Sequence, residues 1–138
     1  MKTVHPNLFR LFTMLCVVTL IYSCSSDDDS SSEPTTLELL TTGKWYTESK
    51  TQGSYSACDK NSYFDFKTNG NVSFEVFDDS SGLCVLSASI MTTYTLDGVN
   101  IDIDLTQDSL IGVIDITSDI LTVTTSDGDS ITFDKIQG

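Results

Sequence analysis

From residue 44 to its C-terminus the chain is predicted to be all-β: an eight-stranded antiparallel up-and-down barrel with a short N-terminal helix. Three observations predict this. Apolar and polar residues alternate through eight short runs, the period of a half-buried strand. Tight-turn pairs such as Asn69-Gly70, Asp97-Gly98 and Asp127-Gly128 punctuate them, and such turns join neighbouring antiparallel strands. Eight half-buried strands avoid exposed edges best by closing on themselves.

The helix comes first. Residues 35–42 read as a short helical turn that Pro34 or Thr35 starts and Gly43 ends, with Leu37 and Leu40 three apart on one apolar face. The predicted strands are 44–52, 62–68, 71–77, 87–96, 99–106, 109–117, 120–126 and 130–136. Parity then selects a core face. It carries Phe64 and Phe66, then Val72, Phe74 and Val76, then Ile90 and Tyr94. Val99, Ile101, Ile103 and Leu105 continue it against outward Asn100, Asp102 and Asp104. Ile114, Ile116, Leu121, Val123, Ile131 and Phe133 complete the set. Met91 and Ile111 fall on the opposite parity, where they would mark an exposed contact patch.

The N-terminus carries the clearest address. Lys2 and Arg10 precede an apolar stretch from Leu11 to Ile21, followed by Ser23 and Cys24. That is the layout of a secretory signal peptide, and the stretch falls short of the roughly 20 apolar residues a membrane span needs. Leu20-Ile21-Tyr22-Ser23-Cys24 resembles a bacterial lipobox, although Tyr22 is bulky for its position. The resemblance implies that residues 1–23 are removed and that Cys24 receives a palmitate-type acyl anchor. Residues 24–34 form an acidic Ser/Asp tether, and residues 35–138 form the barrel domain. The run Cys24 to Asp29 is similar to the acidic export signal of Bacteroidota-type surface lipoproteins. The expected location is therefore the outer membrane, lipid-anchored and exposed at the cell surface.

Removal of the signal would leave five Lys, no Arg and twenty Asp+Glu, a net charge of −15. Such a chain has no basic surface for nucleic acid or for anionic lipid, so its membrane contact must be the anchor. His5, the single histidine, goes with the signal, which excludes His-based triads and His-ligated zinc.

Cys58 and Cys84 remain as an even pair in an exported chain, where oxidation is expected. A bridge would close a loop of about 27 residues, stabilising by roughly 3.5 kcal/mol on the chain-entropy model. Two separate thiols or a redox pair are the alternatives, and the second lacks a Cys-x-x-Cys spacing.

Gly43-Lys44-Trp45 opens the first of the eight strands. With a Cys before the second strand, Phe66-Lys67-Thr68-Asn69-Gly70, and a Cys after the third, it resembles the small lipocalin-like domains of bacterial lipoproteins over about residues 36–136. The resemblance implies that Trp45 packs across a closed barrel end. Larger lipocalins lay an Arg from the last strand over that Trp, and here the nearest candidate is Lys135. It also implies a ligand mouth at the opposite end, with Phe64, Phe66, Phe74, Tyr94, Ile101, Ile103 and Phe133 as candidate pocket residues. Those bulky side chains could equally fill a barrel only about 20 Å long.

Asp102, Asp104 and Asp115 read as a solvated acidic stripe rather than acid/base catalysts. Asp78-Asp79-Ser80-Ser81 and Asp127-Gly128-Asp129-Ser130 read as turns, since neither has the spacing of a calcium loop. No enzyme, cofactor, metal or nucleic acid is expected. The expected function is a membrane-anchored module that binds a small hydrophobic ligand or serves as a non-catalytic surface accessory. The alternative is a filled barrel that acts as a protein-interaction or structural module without ligand.

Overall fold

Thr35 caps a five-residue helix, α1 (Thr36–Leu40), through a reciprocal pair of bonds. Its hydroxyl accepts from Glu38 N at 3.2 Å, and the Glu38 carboxylate accepts from Thr35 N at 2.7 Å. Those bonds hold the Glu38 carboxyl below its usual range. Gly43, at φ +123°, then turns the chain into the first strand, a conformation that glycine adopts freely. The computed structural model describes residues 32–105 and 108–138. The signal peptide, Cys24 and the tether up to residue 31 lie outside the described residues.

Eight strands follow: β1 (Lys44–Lys50), β2 (Tyr63–Phe66), β3 (Asn71–Asp78), β4 (Val85–Asp97), β5 (Asn100–Asp104), β6 (Ser109–Ile116), β7 (Ile120–Thr125) and β8 (Ser130–Asp134). A single 3-10 turn, Asp59–Asn61, interrupts the connection between β1 and β2. Each strand pairs antiparallel with the next, and β8 returns to pair with β1, so the sheet closes in sequence order. The predicted architecture is the observed one.

The predicted core face is the observed core with few exceptions. Phe64, Phe66, Val72, Tyr94, Ile101, Ile103, Ile114, Leu121, Val123 and Phe133 are all buried, with Trp45 and Leu40 among them. Val99 is the clear departure. It is half exposed because β4 ends at Asp97 and β5 starts at Asn100, which leaves Gly98 and Val99 as the turn itself. Leu37 is 38 % exposed, so α1 seals the barrel with Leu40 alone fully buried.

Two features escape simple alternation. An irregularity at Glu48 shifts β1 by one residue, so Lys50 pairs with Ile131 and lies on its side of the sheet. Tyr63 has outward parity yet is buried, because the Tyr46 ring meets it edge-on at 5.5 Å and Lys44 covers it at 3.7 Å. Gly112 takes an inward position between Leu110 and Ile114. A Cβ there would stand 2.7 Å from Thr124 O, so the close approach of β7 requires glycine.

Candidate functional site

The two ends of the barrel are built differently. At one end the β2–β3, β4–β5 and β6–β7 turns surround Trp45, and α1 lies against them. Trp45 has no solvent exposure, and its indole N–H donates to Leu40 O at 2.8 Å. One bond thus ties the first strand to the helix that closes the end. The Lys135 ammonium lies 3.3 Å from the centre of the Trp45 ring. A lysine therefore takes the covering position over the indole.

That ammonium is shielded from solvent and has no hydrogen-bond partner. Its charge is balanced by the ring face, with Asp119 and Asp65 as more distant anions. Loss of water nonetheless dominates, so the Lys135 amine sits below its ordinary value. Beside this end a surface groove of about 420 Å³ runs between α1 and two turns, lined by Thr35, Leu37, Thr68, Gly70, Tyr94 and Leu96.

The candidate pocket residues all point inward, and they meet one another. The Phe64 and Phe74 rings stack at 4.2 Å, and Phe64 also contacts Phe66 and Phe133 at 5.6 Å. Phe66 meets the Tyr94 ring edge-on at 5.0 Å, and the Tyr94 hydroxyl donates to Lys67 O. Burial raises the Tyr94 phenol above its ordinary value. Ile101 and Ile103 pack into the same cluster. At this depth the side chains fill the barrel, and a guest would have to part a ring stack.

Toward the other end the filling thins. Phe74, Leu105, Leu110 and Ile131 pack on the core yet remain partly exposed. Val76 and Ile90, inward by parity, are only half buried. This mouth is bordered by the β1–β2 connection, the β3–β4 loop and the β7–β8 turn.

The first two of those are joined covalently. Cys58 and Cys84 form a disulfide with Cα atoms 5.4 Å apart. Thr47 and Ser62 brace the same region, their hydroxyls bonding to Asp59 O and Phe77 N at 2.7 and 2.9 Å. Lys50 lies 4.5 Å from the Tyr55 ring, and burial raises the Tyr55 phenol. A smaller groove of about 190 Å³ joins Lys50 and Gln52 to Asp129 and Ile131. Lys50 and Tyr55 are rim residues that alternation could not have found, since the β1 irregularity turns one and an irregular loop carries the other.

The remaining constellations behave as turns and solvated surface. Asp127 accepts from the Thr125 hydroxyl and from Asp129 N, which lowers its carboxyl. The Asp78 carboxyl is likewise lowered by Ser80. Asp102, Asp104 and Asp115 all face solvent on the outer wall. Among the described residues no group of three or more His, Cys, Asp or Glu is placed to hold a metal.

Residues 41–137 match the family model of the lipocalin-like domain. Comparison with curated proteins and with solved structures returns no match. The sequential closed barrel, the tryptophan across its sealed end and a family match over most of the chain agree: this protein belongs to the lipocalin-like domain family.

Proposed function

We propose that the protein is a non-catalytic binding module, held at the outer membrane surface by an acyl chain on Cys24, that takes a small hydrophobic molecule at its mouth. The observation that carries the binding half is the burial gradient along one interior face. Around Trp45 the residues Leu40, Phe66, Val72 and Leu121 are fully buried, and only Leu96 and Ile116, beside the turns, are partly open. At the mouth Phe74, Val76, Ile90, Leu105, Leu110 and Ile131 are all only partly buried. Membership of a lipocalin-like family supports a hydrophobic guest.

The filled middle limits the guest to a small or flat apolar group seated near the rim. The anchoring half rests on the lipobox-like run before Cys24, and the surface half on Asp27-Asp28-Asp29. The chain enters the barrel at the Trp45 end, so the mouth lies at the far end from the tether's attachment.

Two measurements test this reading. The neutral dye N-phenyl-1-naphthylamine suits the first, because a net charge of −13 would repel an anionic probe. Titration should show saturable binding to the full chain, weakened tenfold or more by Ile90→Glu or Ile131→Glu. Val113→Glu on the outer wall should leave binding unchanged. Absence of saturable binding would leave the filled-barrel reading, which the 4.2 Å Phe64–Phe74 stack favours. Secondly, Cys24→Ser should move the protein from the membrane pellet to the soluble fraction. A mutant that still pellets would end the anchoring half.

A further inference from the structure

The two ends of the barrel differ in charge as well as in packing. Between strands, the connections at the mouth carry Asp59, Asp79, Asp108, Asp127 and Asp129 against Lys60 alone. From Thr35 onward, the helix, turns and final residues at the sealed end carry Glu38 and Asp119 against Lys67 and Lys135, which balance. The strand-end residues add one lysine and two aspartates to each side. They are Lys50, Asp78 and Asp104 at the mouth, and Lys44, Asp97 and Asp134 at the sealed end. A chain that is acidic overall therefore has one acidic end and one that is almost neutral.

The almost neutral end also bears apolar side chains that stand outside the seal over Trp45. Leu37 on α1, Val99 in the β4–β5 turn and Ile120 at the start of β7 are 38, 48 and 43 % exposed. Leu37 and Leu96 share the wall of the groove between α1 and the turns. The mouth has exposed apolar residues too, Leu83, Val85 and Leu86 on the β3–β4 hairpin, so exposure alone does not choose between the ends.

Connectivity and charge choose. The residues from Cys24 to Pro34 join the barrel at Thr35, the cap of α1, two positions before Leu37. Whatever their conformation, they span at most about 40 Å. The barrel is about 20 Å long, so the mouth meets an anchoring bilayer only when the domain turns over. The sealed end meets it at every close approach. Tethering raises the local concentration of that end at the surface, so a weak apolar contact suffices there. A leaflet with anionic lipid adds to the bias, because it repels the acidic mouth far more than the balanced end.

We infer that the sealed end is a face that rests on the membrane. Leu37, Val99 and Ile120 lie against the boundary of headgroups and acyl chains in the bilayer that holds the Cys24 anchor, and the mouth is turned toward the medium. The contact is shallow: the three side chains enter the boundary while Asp97 and Asp119 stay among the headgroups. This rests on the acyl anchor proposed above, and does not depend on the mouth holding a guest.

The test uses the acylated full chain in vesicles of phosphatidylcholine and phosphatidylglycerol, with one labelled cysteine at a time. Cys58 and Cys84 are bridged, so the introduced thiol takes a nitrobenzoxadiazole fluorophore. Labels at Val99→Cys and Ile120→Cys should be quenched by lipid carrying a nitroxide near the headgroup, at least twofold more than a label at Ser81→Cys in the β3–β4 loop. Leu37→Glu with Val99→Glu should lower the quenching at Ile120→Cys at least twofold, while the chain still pellets and circular dichroism keeps its β signature. In a pelleted chain, quenching that is absent, equal at the three positions or strongest at Ser81→Cys would overturn this inference and leave the anchor standing. So would quenching at Ile120→Cys that the two glutamates do not change. A chain that stays in the supernatant would end the anchoring reading and this inference with it.

Discussion

The sealed end and the mouth of this barrel are made from the same eight strands, yet they solve different problems. At the sealed end, burial is completed by parts outside the sheet: Leu40 from α1 and the Lys135 stem over Trp45. At the mouth closure falls to the 3-10 turn Asp59–Asn61, the disulfide beside it and a few hydroxyl bonds between strands and loops. The lesson is that a closed sheet supplies only the wall. Its ends must be sealed separately, and an end left partly apolar is where a guest can sit.

Two phenylalanines test this contrast with the same chemistry at two depths. Phe66 is 1 % exposed, whereas Phe74 is only partly buried. Phe66→Ala should destabilise by about 3–5 kcal/mol, the usual cost of removing a buried aromatic ring. Phe74→Ala should cost roughly half as much, because part of its ring is already in water. Guanidinium titration followed through Trp45 fluorescence measures both. Equal losses would mean that the two ends do not differ in packing.

The next effect separates loop closure from packing. Cys58→Ser with Cys84→Ser opens a loop of sequence separation 26, for an expected loss of about 3.5 kcal/mol. Trp45 emission in the folded baseline should stay where it is in the bridged protein. A red shift would show that the bridge supports the sealed end as well, and would remove the contrast.

Sequence reasoning reached the wall more completely than its ends, for a physical reason. Strand parity is a local property: Phe64, Phe66, Ile101 and Ile103 can be assigned inward from their neighbours alone. Trp45 needed the resemblance carried by Gly43-Lys44-Trp45, since its partners Leu40 and Lys135 are distant from one another along the chain. Val99 was misplaced because parity continues through a turn on paper while the backbone does not. Lys50 and Tyr55 were invisible for the converse reason: the irregularity at Glu48 reverses a parity that the sequence presents as unbroken. The candidate pocket residues share one face of the sheet, but whether they fill or line it depends on the 4.2 Å ring stack, which no pattern encodes.

Lys135 provides a pH test confined to the sealed end. Its amine titrates near 10.5 in the unfolded chain and lower in the barrel, where water is excluded. Between those two values the unfolded chain binds more protons, so this residue makes stability rise with pH in that alkaline window. Tyr55 and Tyr94 act oppositely above their ordinary range, because burial raises their phenols. The comparison with Lys135→Met isolates the lysine, since methionine retains an apolar stem over Trp45. At pH 7 the variant should lie within about 2 kcal/mol of the parent, the scale of a shielded cation–ring contact. The gap should shift in favour of the parent as pH rises toward 10.5. A pH-independent gap would show that the ammonium is solvated, and that the sealed end is less dry than its burial indicates.

The smallest effect belongs to the outer wall, which both ends share. Ile111 is 58 % exposed and stands directly opposite outward Asp102, with Asp104 beyond it on the same face of β5. Met91 lies on β4, opposite Ser73 on the neighbouring strand. The acidic stripe therefore interrupts the contact patch that parity suggested for these two residues, and the apolar neighbour of Ile111 on the outer wall is Val113, 49 % exposed on the same face of β6. Ile111→Ser should leave stability within about 0.5 kcal/mol of the parent, as for surface changes that open no cavity. It should also leave dye binding alone, because Ile111 lies on the outer wall away from the mouth. A larger loss would mean that Ile111 shields its strand pair from water, and would place part of the barrel's cohesion on the wall.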